Sequence, residues 1–161
     1  LSAAGIWPSA TNGCSTNIKG ELSTNKVNGY YLEFDPTNIE YAEVTLAMPS
    51  DWNAGTITAT FYWKHPTTTT NFDAVWALQG RAYGDNVALD QAMGTVQEVT
   101  DTGGTTSNLY ISSATSAITL AGSPAAGQLV QIRIYRNATS GSDTLAVDSH
   151  LIGVMINYTR A

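Results

Sequence analysis

Thr56-Ile57-Thr58-Ala59-Thr60-Phe61-Tyr62-Trp63 is the stretch on which the fold turns. Ile57, Ala59, Phe61 and Trp63 fall on one face of an extended chain, and threonines dominate the other. Strict alternation of this kind reads as a half-buried strand. Its outer face is made soluble by hydroxyls instead of charges. Similar runs occupy 30–34, 41–48, 72–83, 95–100, 108–112, 117–120, 128–136 and 150–159. In 72–83, Ala74, Trp76 and Leu78 take one face, with Val75, Ala77, Gln79 and Arg81 on the other.

Turn formers separate these runs: Asn28-Gly29, Asp35-Pro36, Pro49-Ser50-Asp51, Asn53-Ala54-Gly55, His65-Pro66 with the threonine tract 67–70, and Asp101-Thr102-Gly103-Gly104. About eight short strands at regular spacing predict an all-β, antiparallel two-sheet sandwich of jelly-roll type. One segment breaks the pattern. Asp85 can cap, and Val87, Leu89 and Met93 have helical spacing, so a short helix is expected near 85–93, closed by Gly94.

Residues 1–26 lack periodicity and are rich in Ser, Thr, Asn and Gly. They read as an extended amino-terminal arm ahead of a sandwich domain over 27–161. Ile6 and Trp7 are its apolar anchors, onto the domain or a neighbouring subunit. In the last strand Ile152, Val154, Ile156 and Tyr158 line one face, with Leu151 and Met155 on the other. A two-layer sandwich covers only one face of each sheet. A strand apolar on both faces therefore needs a second cover, and a partner copy in a homo-oligomer is the expectation.

The chain has 161 residues, enough for one domain with a real core. Charged residues are 12% of it, about half the usual share. The net charge of −6 and scattered basic residues exclude a nucleic-acid surface. No apolar run is long enough to enter a membrane as a helix. No basic-then-apolar leader opens the chain, and Leu1 in place of Met reads as processing, trimming or excision from a longer protein. Cys14 is the only cysteine, so no internal disulfide forms; it reads as a small buried residue, with an intermolecular bridge as the sharper alternative.

The search for chemistry assigns no catalytic, cofactor-binding or metal-binding residue and leaves ligand-binding residues unassigned. His65 ends one strand and His150 opens another. A set built from His150, Asp148 and Ser149 or Ser142 lacks a nucleophile turn. The carboxylates Asp35, Glu40, Glu43, Asp73, Asp85, Asp90, Glu98 and Asp101 cannot be paired by spacing, as glycoside hydrolysis would require. A calcium between Asp143 and Asp148 has no motif behind it. Asp143 reads as a loop hydrogen-bond former, and Asp148 as a partner for Arg133 or Arg136. Trp63 and Trp76 are in phase with the core. Trp7 and Trp52 sit in loop-like stretches, where either exposure, as in a sugar-stacking site, or capping of the core is expected.

Several segments form an ordered set: 41–43 with 48–56, Val75-Trp76-Ala77-Leu78-Gln79, 96–102 and 142–154, of which 143–153 is the most specific. The set resembles a small family of tailed-phage and prophage proteins over about residues 25–159. The resemblance implies a virion structural protein, a decoration, fibre or spike component, located on the virion and so extracellular when assembled. It implies no catalytic residues and no enzyme. Its expected partners are other virion proteins, further copies in a trimer, and a host-surface glycan. The alternative is a carbohydrate-binding module of a larger secreted protein.

Overall fold

The computed structural model describes residues 1–67 and 72–161; residues 68–70 of the threonine tract lie outside the described residues. Ten strands follow in chain order: β1 (Trp7–Pro8), β2 (Ile18–Glu21), β3 (Asn28–Phe34), β4 (Glu40–Ala47), β5 (Trp52–Lys64), β6 (Asp73–Tyr83), β7 (Gln97–Thr102), β8 (Tyr110–Ile111), β9 (Leu129–Arg136) and β10 (Ser149–Arg160). They form two five-stranded antiparallel sheets, in the orders β1-β4-β9-β6-β7 and β2-β3-β10-β5-β8. Strands β3 to β10 alternate between the sheets, as in a jelly roll, except at β6 and β7, which pair as a hairpin within the first sheet. The remaining two, β1 and β2, extend one edge of each sheet.

The core lies between the sheets and follows the alternation. Ile57, Ala59, Phe61 and Trp63 of β5 are at most 1% exposed. Ala74, Trp76 and Leu78 face them from β6. Trp76 stacks on Phe61 at 5.6 Å and meets Phe34 edge-on at 5.4 Å, tying the two layers together. The edge beyond β5 is completed by hydroxyls. Ser112 Oγ accepts from the Phe61 amide and Thr115 Oγ1 from the Ala59 amide, so buried backbone donors are satisfied where no strand is adjacent.

One ion pair holds an end of this core. Val130, Ile132, Ile134 and Arg136 all face inward from β9, and the Arg136 guanidinium is fully buried. Asp143 grips it through both oxygens, at 2.6 and 2.9 Å, and the Val147 and Leu145 carbonyls accept its remaining donors. The partner is thus Asp143, where the sequence pointed to Asp148; Arg133 pairs with Glu43. Asp143 also accepts from the Val75 amide, so the β9–β10 loop is sewn onto β6.

Residues 85–93 are irregular instead of helical. Val87 and Leu89 are exposed, so a helix there would have no apolar face to bury, and short isolated helices do not persist. Asn86 adopts φ 60°, and side chains capture the backbone: Tyr83 Oη donates to the Leu89 carbonyl and Arg81 Nη1 to that of Ala92.

The amino-terminal segment lies on both sheets. Ala3 and Ile6 are buried, β1 pairs with β4, and β2 pairs with β3. A bulge between Leu151 and Gly153 re-phases β10. Leu151 therefore joins Val154 inside, and Ile152 turns outward in place of its predicted inward position. The Leu1 carbonyl accepts from the Val154 amide, Leu1's amine donates back to the Val154 carbonyl, and Ser2 bridges Gly153. The bulge thus takes Leu151 out of the second apolar face that motivated a homo-oligomer, while Met155 stays 41% exposed there; the Leu1 bonds close the strand's backbone edge.

Removing one partner of a buried ion pair costs about 3–5 kcal/mol. Asp143→Ala should lower Tm by roughly 10 °C. Asp143→Asn, which keeps an acceptor for the Val75 amide, should cost less. Calorimetry of the three proteins checks the order.

Candidate sugar-binding face

The outward positions of the first sheet differ from those elsewhere in the chain. Register places Trp7 opposite Glu43, Glu43 opposite Arg133, and Arg133 opposite Gln79. These residues form one row across four strands. The next rows carry Tyr41 beside Tyr135, and Thr45, Gln131 and Arg81. Directly opposed residues share a face, so all project from the outer side.

Glu43 organises the row. Its Oε1 accepts from Arg133 Nε at 2.9 Å, Arg133 Nη2 at 2.7 Å and Ser9 Oγ at 3.2 Å; its Oε2 accepts from Gln131 Nε2. Arg133 lies 5.3 Å from the Tyr41 ring, which packs edge-on against Tyr135 at the same spacing. The guanidinium lies between an acid and a ring, and its Nη1 makes no hydrogen bond among the described residues. Trp7 at the row's end is 43% exposed, unlike Trp52, Trp63 and Trp76. Trp52 is buried at the start of β5, so of its two predicted fates it takes the capping one.

A cleft of about 600 Å³ runs beside Trp7, lined by Ser9, Asn12, Tyr41, Glu43 and Arg133. A second hollow of about 350 Å³ shares Glu43 and Arg133 and reaches Tyr83, Asp90 and Met93. Both walls come from segments with no regular structure. Residues 9–12 form one, turning at Gly13, where an added Cβ would lie 2.1 Å from the Ser9 carbonyl. Residues 89–93, strapped down by Arg81 and Tyr83, form the other.

The remaining candidates are tied up structurally. Asp35 holds a turn: the Thr37 hydroxyl first, then the Thr37 and Asn38 amides, donate to its carboxyl and keep it below the usual range. Asp73 bonds Thr102, Asp101 bonds the Trp63 indole, and Glu98 bonds Asn137. Glu40 accepts from the Asp35 amide. Asp85 is exposed on the surface, and Asp90 faces Glu43 across the second hollow. Glu43 itself has both oxygens occupied by donors. Asp143 is engaged through both oxygens by Arg136 and by the Val75 amide. Burial pushes the Cys14 thiol up to about 12, which makes it unreactive.

Neither histidine meets Asp148, Ser149 or Ser142. His65 is fully buried, with Nδ1 2.8 Å from the Thr67 carbonyl and its ring against Phe72 and Tyr110. His150 stacks on Tyr31 at 4.5 Å. Its Nε2 lies 3.0 Å from Glu33 but off the line of a hydrogen bond.

The sequence showed Glu43 only as one of eight unpaired carboxylates and Arg133 only as a partner for Asp148, and gave no ligand role to Gln131 or Gln79. The signal was present in Tyr41-x-Glu43 and Gln131-x-Arg133-x-Tyr135. Their outward positions carry planar polar and aromatic groups, where β5 carries threonines.

No family model matches the chain, and no curated protein matches it. Two solved structures are similar in chain path. One is a carbohydrate-binding module specific for non-crystalline cellulose, with 13% identity, covering 95% of this chain and 87% of the other, at a TM-score of 0.49. The other is a xylan-binding domain from Paenibacillus barcinonensis, with 14% identity, covering 97% and 92%, at a TM-score of 0.45. At such identities and scores the likeness carries no functional weight.

Burial, with the Lys64 charge second, lowers the His150 pKa from 6.5 to about 4. Between those values the unfolded chain binds more protons than the folded one, so stability falls as pH drops from about 6.5 towards 4. Burial and Asp148 raise the Glu33 carboxyl, which opposes this at the acid end of the window. The Tm of wild type should decline between pH 7 and 4.5 more steeply than that of His150→Phe; equal slopes in thermal melts would refute the assignment.

Proposed function

We propose that the protein binds a carbohydrate chain on the outer face of the first sheet and does not cleave it. The observation that carries this is the row Trp7, Glu43, Arg133 and Gln79, crossing four adjacent strands on one open face. A sugar ring has an apolar C–H face and an edge of hydroxyls. An exposed indole offers stacking to the first, and clamped acid, guanidinium and amide groups offer directional hydrogen bonds to the second. The row is about 14 Å long at ordinary strand spacing, so it suits several linked rings more than a single one.

Glu43 serves as a fixed acceptor here. Four hydrogen bonds hold it in the geometry that a ligand meets, so little ordering is left to binding. Binding without catalysis is the role this arrangement supports, as in a carbohydrate-binding module of a larger secreted protein.

The virion setting rests on the sequence resemblance. Its most specific stretch, 143–153, contains Asp143 that grips Arg136, the buried Leu145 and the bulge glycine Gly153. That stretch accounts for a shared fold more directly than for a shared task. Capsid or tail genes beside this gene would support attachment of a particle to a glycan through the same face.

Trp7→Ala should weaken retardation of the protein in native gels containing soluble polysaccharides at least tenfold, about 1.4 kcal/mol, with Tm nearly unchanged. Glu43→Ala should weaken it further by freeing Arg133. Wild-type protein that migrates unretarded through a broad panel of neutral and acidic polysaccharides would overturn the proposal.

A further inference from the structure

The second sheet carries a groove on its own outer face, on the far side of the sandwich from the row described above. The bulge at Gly153 turns Ile152 outward onto its floor. The β2–β3 hairpin forms one wall with Leu22 and Val27, and the loop before β8 forms the other with Ser107 and Leu109. The hollow measures about 340 Å³. Leu22, Val27 and Leu109 are each about half exposed. Such a cluster of branched aliphatic side chains contrasts with the polar and aromatic outer face of the first sheet.

A single cation stands at the end of this groove. Lys64 enters no ion pair among the described residues and makes no hydrogen bond there; its ammonium lies 4.5 Å from the centre of the Tyr31 ring. Burial lowers its pKa, with Glu33 acting against that shift. The other face-forming acid, Glu21, is already engaged by Lys26 and Asn28. The Tyr31 ring is occupied by His150 and Lys64, which leaves aliphatic groups as the free contact surface.

We propose that this groove is a second ligand site, which takes a small aliphatic carboxylate with its head on Lys64 and its tail over Ile152, Leu109, Leu22 and Val27. Charge complementarity selects the anion, and the branched walls select an alkyl body over an aromatic one. An anionic bilayer would face the whole surface of a chain with net charge −6, whereas a single dissolved carboxylate meets Lys64 locally, so the occupant is a dissolved molecule and not a membrane lipid in place. The inference is independent of the sugar-binding face.

The test is methyl and backbone NMR titration of the whole chain with sodium octanoate, with octanol as the neutral match and acetate as the head alone. Octanoate should shift the Leu22, Val27, Leu109 and Ile152 methyls saturably. It should bind at least tenfold more tightly than octanol, and acetate should leave those methyls unmoved. Lys64→Met should bring octanoate down to the octanol level while leaving the Trp7 and Arg133 signals in place. Octanol matching octanoate in the wild-type protein overturns the proposal, whatever the variant does. So does an unmoved set of groove methyls, or shifts that follow protein dilution and so report self-association.

Discussion

The buried pair of Arg136 and Asp143 is the constraint on which the rest of the molecule depends. A guanidinium at a core position is tolerable only if its charge and all its donors are met. Meeting them recruits Asp143 and the Leu145 and Val147 carbonyls, and so fixes the path of the whole β9–β10 loop. That loop delivers Ser149 and His150 to the start of β10, the strand central to the second sheet. It also buries Leu145 over the end of the core and bonds to β6. The lock therefore sets how the two layers meet on the side where β9 presents its outward residues.

Those outward residues gain their meaning from the same strand. β9 alternates Val130, Ile132, Ile134 and Arg136 inward with Gln131, Arg133 and Tyr135 outward. One period of two thus supplies the core, its lock and the middle of the proposed sugar-binding face. Each arginine has one dedicated acid, and the difference in burial decides what each can do. Arg136 is fully enclosed and serves structure. Arg133 is a third exposed, bears on a ring and an acid, and has an Nη1 without a hydrogen bond among the described residues. A chain with so few charges places them where geometry uses each one.

The amino-terminal segment has two effects of comparable importance. It buries Ala3 and Ile6 and closes β10 with backbone hydrogen bonds from Leu1. It also lays Trp7 on the edge of the first sheet and bends at Asn12-Gly13 to wall the cleft. Without it the row across the first sheet would lack its aromatic end. The bulge in β10 links the two effects. Gly153 has no side chain, and the Leu1 carbonyl sits 2.7 Å from where a Cβ would be. A glycine there lets the arm dock, and the same bulge turns Ile152 out into the groove of the second sheet.

Taken alone, the sequence determined the longer strands and which side chains of β4, β5, β6 and β9 face inward, because alternation with a period of two is a local property of the chain; the run at 117–120 makes only an isolated bridge at Ile118, and β1 and β2 lie in the segment read as an arm. It determined that Trp63 and Trp76 are core, and it left Trp7 and Trp52 open because both lie outside any alternating run. Only the tertiary structure decided that Asp143 and not Asp148 holds Arg136, that Glu43 and Arg133 meet across 90 residues, and that residues 85–93 are a strap and not a helix. It also decided that the chain's own first residues close the backbone edge of β10. Each of these outcomes rests on contacts between distant segments, whose entropy of closure is repaid only once the two sheets are in register. One bulge was enough to reverse the predicted inside and outside of Leu151 and Ile152, because a single extra residue flips every position before it relative to those after.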